Sequence, residues 1–157
     1  GGGVIATYLQ GSQVFMSEVS YHLRNNRFDH TKAHCFGHGG GASLIFSGLP
    51  SHLSSSSPAN VSGELLVGAV VERNIFSSTS ASGGGGFQIW ESDYSVSRLS
   101  LNLTYADNVN EESRSGTSGG GGLGLALRSH HSHLHVNVER SVFSHCSASS
   151  LPSFYSD

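Results

Sequence analysis

Two recurring features of this 157-residue chain predict an all-β fold, a right-handed parallel β-helix (solenoid) of about four rungs with loop insertions on one side. Glycine clusters end at Gly3, Gly41, Gly86 and Gly122, and each hands over in phase to alternating apolar residues. Behind them, the spacing Leu23, Asn26, Phe28, Ala33 returns as Val71, Asn74, Phe76, Ala81 and again as Val138, Ser141, Phe143, Ala148. Short strands, no helical period and a fixed return describe a unit that buries its apolar face only against its neighbours.

The units run over roughly 1–38, 39–82, 83–118 and 119–157 of a single domain. Each opens on a glycine cluster, expected to make a tight turn. A strand follows, through Val4/Ala6/Tyr8, Ala42/Leu44/Phe46, Phe87/Ile89 and Leu123/Leu125/Leu127. A second strand, as in Val19/Tyr21/Leu23 or Leu134/Val136/Val138, then turns a corner at Asn or Ser and continues through Phe. Asn26, Asn74 and Ser141 form the corner, and Phe28, Phe76 and Phe143 the interior stack. The corner Asn has two readings: a ladder that satisfies backbone groups, or a residue that tolerates left-handed geometry. In the third unit Leu99/Leu101/Leu103/Tyr105 keeps the strand, but aligning it on Leu103 puts Asn108 in the Phe position and Ser113 in the Ala position. Insertions between the two strands, near 9–18, 47–63, 91–97 and 128–133, recur at one place in each unit.

Composition narrows the function classes. Lys32 is the sole lysine, charged residues are 12% and the net charge is −3, so nothing attracts a phosphate backbone and nucleic acid is excluded as a partner. No apolar run reaches the ~18 residues of a membrane-spanning helix. The chain opens on Gly1-Gly2-Gly3, without a signal peptide, and is read as a fragment whose end rungs, left bare, favour end-to-end stacking. Cys35 and Cys146 sit at different offsets and are read as free thiols. Asn60-Val61-Ser62 and Asn102-Leu103-Thr104 are N-glycosylation sequons, consistent with secretion.

The segments GGGASLIF, VVERNIFSSTSASGGGGFQI and VNVERSVFSHCSAS resemble the Gly-Gly-apolar and Asn/Ser-x-Phe repeats of pectin-lyase-like right-handed β-helix proteins. Within that group the likeness is to polymorphic outer membrane proteins and adhesin-like surface proteins. It spans nearly the whole chain and implies an extracellular or cell-surface location. The fold itself carries both adhesins and polysaccharide enzymes.

Chemistry on this fold needs clustered acids and a base. Here the acids are scattered. Glu72 and Glu139 occupy equivalent places two units apart, with Thr104 expected between them, and each adjoins an arginine, Arg73 or Arg140, as solvated outward carboxylates do. Gly37-His38-Gly39 resembles the Gly-His-Gly of polygalacturonases but lacks the paired aspartates. His131, His133 and His135 alternate on one strand with the spacing of metal-binding His-x-His sites, whereas His30, His34 and His38 fall in a turn region. The expected function is therefore a structural stalk or binding surface, with no cofactor. Its partners are a glycan or cell-surface protein and the neighbouring rungs of a parent chain. The alternative is a fragment of a polysaccharide lyase or hydrolase whose catalytic rungs lie elsewhere.

Overall fold

The computed structural model describes residues 4–10, 16–33, 39–48, 64–91, 98–116, 120–127 and 133–149. All regular structure among them is β, and every strand pairing is parallel. The strands after the glycine clusters, β1 (Val4–Gln10), β4 (Ala42–Gly48), β8 (Phe87–Glu91) and β12 (Leu123–Ala126), form one sheet in the order β1-β4-β8-β12. The long strands β2 (Met16–Arg24), β5 (Glu64–Glu72), β9 (Arg98–Ala106) and β13 (His133–Glu139) form a second, ordered β13-β9-β5-β2. Past the corner, β3 (Arg27–Asp29), β6 (Ile75–Ser77), β10 (Val109–Glu111) and β14 (Val142–Ser144) make a third. Finally β7 (Ser80–Ala81), β11 (Arg114–Ser115) and β15 (Ser147–Ala148) make a fourth, which Lys32 joins through a bridge to Ser80. A full unit thus holds four strands, where the sequence pattern marks a first strand and a second that turns a corner. The last of them is only two residues long, too short to leave a period in the sequence.

Alternation explains the core. In β5 and β9, Leu65, Val67, Ala69 and Val71 face the same way as their partners Leu99, Leu101, Leu103 and Tyr105, and all eight are buried. Leu44, Phe46, Phe87 and Ile89 join them in one cluster with Phe28 and Phe76. Burial of these side chains stabilises by roughly 1.5–3 kcal/mol each, the largest favourable contribution available to a chain with so few charges.

The register corrects the reading of the third unit. Val71 pairs with Tyr105, not Leu103, so Asn108 is a corner residue in line with Asn74 and Ser141. Asn110 takes the Phe position, opposite Phe76 and Phe143, and Ser115 takes the Ala position, opposite Ala81 and Ala148. Residues Leu99 to Tyr105 look the same to a period-two pattern after a slip of two, which is why apolar spacing misplaced them. The same shift puts Ala106, not Thr104, between Glu72 and Glu139.

The polar ladder at the corner is continuous. Asn74 Oδ1 accepts from the Asn26 backbone N–H at 3.0 Å, Asn108 Oδ1 accepts from the Asn74 N–H at 2.9 Å, and Ser141 Oγ accepts from the Asn108 N–H at 3.2 Å. In return Asn74 Nδ2 donates to Leu23 O and Asn108 Nδ2 to Val71 O, both in the preceding unit. The left-handed residue is the one before: Asn25, Arg73, Asp107 and Arg140 have φ between +43° and +57°. His30, Ser78, Glu112 and His145 form a second left-handed column, φ +52° to +53°. Each such non-glycine residue costs about 1 kcal/mol, offset where its N–H bonds a carbonyl of the next unit, as Arg73 does with Ala106 O and Ser78 with Glu111 O.

The glycine clusters act mainly through close approach rather than turn geometry. Among the described glycines only Gly39 has positive φ, +51°. Gly41 lies against the Phe76 ring, where a Cβ would collide with Cδ1.

Candidate functional site

The surface with the most functional potential is the outer face of the long sheet. Its side chains alternate with the core set. Across the strands they run in rows: Glu18, Leu66, Ser100, His133; then Ser20, Gly68, Asn102, His135; then His22, Val70, Thr104, Asn137. Apart from Glu18 this patch holds no acid, Lys or Arg, and Asn102, His133, His135 and Asn137 are exposed. At Gly68 nothing stands within 4 Å of a Cβ position, so the face has an open floor beside Asn102. With Glu18 as its one acid and many donors and acceptors, it is suited to holding a polar ligand by hydrogen bonds.

A row of charges borders this face at the corner. Arg24 lies 3.2 Å from Glu72, and Glu72 lies 2.6 Å from Arg73. Arg140 pairs with Asp107 at 2.6 Å through Nε and with Glu139 at 2.9 Å through Nη1. The hydrogen bond from Arg140 holds the Asp107 carboxyl below the usual carboxylate range, and the same bond raises the Arg140 guanidinium. Glu72 and Glu139 are therefore each the ion-pair partner of an arginine on the exposed corner.

The structure brings some of the expected residues together and separates others. Asn26, Asn74 and Ser141 lie on the ladder already described, the first three members of which are asparagines once Asn108 is included. Phe28 stacks on Phe76 with centroids 5.1 Å apart. Phe143 stacks instead on Tyr105, at 6.0 Å, because Asn110 occupies the Phe place between them. Tyr105 OH donates to Asn110 Oδ1 at 2.9 Å, and burial pushes the phenol well above its ordinary value. His133 and His135 sit exposed on the edge strand β13 beside Ser100 and Asn102, while His131 lies outside the described residues. Among the described residues, no three His, Cys, Asp or Glu side chains converge as a metal site would require.

Asn102 is exposed, while Asn60, Cys35, His34 and His38 lie outside the described residues. His30 is exposed at the second corner, 2.9 Å from Asp29. Cys146 is a free thiol, with Sγ 3.5 Å from Asn110 O. Sequence reasoning missed two buried polar groups on β8. Gln88 Oε1 accepts from the Gly39 N–H at 3.0 Å, and Glu91 faces inward opposite Phe46. The alternation Phe87, Ile89, Glu91 was the available signal for the latter. No described helix is long and apolar enough to cross a membrane.

No protein-family model, curated protein or solved structure matches the chain.

Proposed function

We propose that the chain is a non-catalytic segment of a right-handed parallel β-helix, serving as a structural stalk or adhesion surface outside the cell. The observation that carries this reading is the corner ladder, in which Asn74, Asn108 and Ser141 each accept a backbone N–H of the preceding unit, from Asn26, Asn74 and Asn108 in turn. Such dependence suits a rigid rod built of four rungs, and the near-universal right-handed crossover between parallel strands supplies its hand. The resemblance to polymorphic outer membrane and adhesin-like proteins supports the extracellular location. A glycan or cell-surface protein is the external partner, met by the sparsely charged outer face of the long sheet or by the insertion that the sequence marks between β4 and β5, residues 49–63.

Glycan-array and cell-binding assays on three proteins test this: the native chain, a variant lacking 49–62, and Asn102→Asp/Thr104→Asp. Binding that falls about tenfold or more in either variant supports a recognition surface there. Unchanged binding in both removes both surfaces. Depolymerisation of polyuronates by the protein would replace this reading with the carbohydrate-active one.

A further inference from the structure

We infer that Asn108 and the buried Tyr105–Asn110 hydrogen bond act as a register key, selecting one alignment of β9 against a two-residue slip that its apolar residues allow. Leu99, Leu101, Leu103 and Tyr105 repeat every second residue, so sliding β9, β10 and β11 forward by two keeps three leucines facing the core, now beside Val67, Ala69 and Val71, and only Leu65 loses its leucine partner. Only the connections on either side change length, by two residues each, at small entropic cost. Hydrophobic pattern therefore separates the two alignments poorly.

The polar residues separate them well. In the observed register Asn108 receives the Asn74 N–H and donates to Val71 O, both buried. After the slip Ala106 stands in the ladder with no side-chain acceptor or donor, and both backbone groups lose their partner. Tyr105, now buried and bonded to Asn110, moves to the exposed left-handed column of Arg73 and Arg140, where an aromatic residue is poorly tolerated. Asn108 enters the phenylalanine stack without Tyr105 to meet it. The Phe-to-Asn and Val-to-Tyr exchanges of the third unit are thus two halves of one device. Buried polar contacts are best attested for this role, specifying register at some cost in stability.

Disulfide trapping tests the inference, in a background carrying Cys35→Ser and Cys146→Ser. Val70 and Thr104 are in-register neighbours on the outer face, so Val70→Cys/Thr104→Cys reports the observed alignment. Val70 and Asn102 are diagonal, roughly 7–8 Å apart and outside bridging range, and become neighbours only after the slip. The unaltered third unit cross-links through the first pair alone. Adding Asn108→Ala/Asn110→Leu raises the yield from the second pair about tenfold or more, while Asn108→Ser, which Ser141 shows to be a working ladder residue, restores the first. Undiminished cross-linking through the first pair in the Ala/Leu variant overturns the inference. So does loss of both cross-links together with the strand signal in circular dichroism, which would make these residues supports of the fold rather than selectors of its register.

Discussion

Asn74 holds three units together with one side chain. Its Oδ1 accepts from the Asn26 N–H and Nδ2, and its own Nδ2 reaches Leu23 O and Asn108 Oδ1. Asn74→Ala leaves the Asn26 N–H and Leu23 carbonyl without their partners, and should lower stability by roughly 2–4 kcal/mol in urea unfolding, with Asn74→Ser losing less. Tyr105 and Asn110 should behave as a coupled pair. Tyr105→Val opens a cavity and Asn110→Phe crowds the ring, each costing about 1–3 kcal/mol, whereas Tyr105→Val/Asn110→Phe restores the pattern of the second unit and costs clearly less than the sum. Additive losses in that cycle would contradict the paired exchange. At the surface, Arg140 holds the Asp107 carboxyl below its unfolded value. Its contribution is therefore complete above the ordinary carboxylate range and fades as pH falls through the lowered value. Carbon-detected titration should show the Asp107 pKa rising toward normal in Arg140→Gln. Of these residues, the phenylalanines and Asn74 were legible from spacing. The Asn110 position was not, because its compensating ring comes from the neighbouring strand.

At the scale of the strand, phase proved easier to read than register. The strands after the glycines align as their clusters do, Val4 with Ala42, Phe87 and Leu123, because a cluster marks an absolute position. The long strands carry no such mark. The apolar residues of β9 fit equally well two residues along, and the contacts of Asn108 with Asn74 and Ser141 fix its place. Two-residue strands such as β7 are too short for a period and show in the sequence only as the recurring Ala81 and Ala148. Glycines divide in the same way, by what lies over them. Gly41→Ala pushes a methyl into the Phe76 ring and should cost roughly 1–3 kcal/mol, while Gly68→Ala fills open space in a strand and should gain about 0.5 kcal/mol. Thermal unfolding of the two variants checks this, and equal effects would show that the clusters serve turn geometry alone.

Over the whole molecule, the sheets depend on contacts between distant parts of the chain. The hydrogen-bond ladders join residues 33 to 51 positions apart, so no unit closes its own backbone. The apolar columns that are sealed at Leu101 and Tyr105 open at the fourth unit, where Leu134, Val138 and Phe143 are 42%, 47% and 43% exposed. All-β class, repeat and strand phase were visible in the sequence because they rest on local period. Partner choice on the outer face was not, since a flat field of Ser, Asn, Thr and His has no motif of its own. Parallel, in-register stacking of successive units is the claim on which the rest depends. Methyl and amide nuclear Overhauser contacts across β5 and β9 test it most directly. The account predicts Val67 with Leu101, Ala69 with Leu103 and Val71 with Tyr105, partner numbers rising together. Contacts of Val67 with Tyr105 and Val71 with Leu101, partner numbers running in opposite directions, would contradict it.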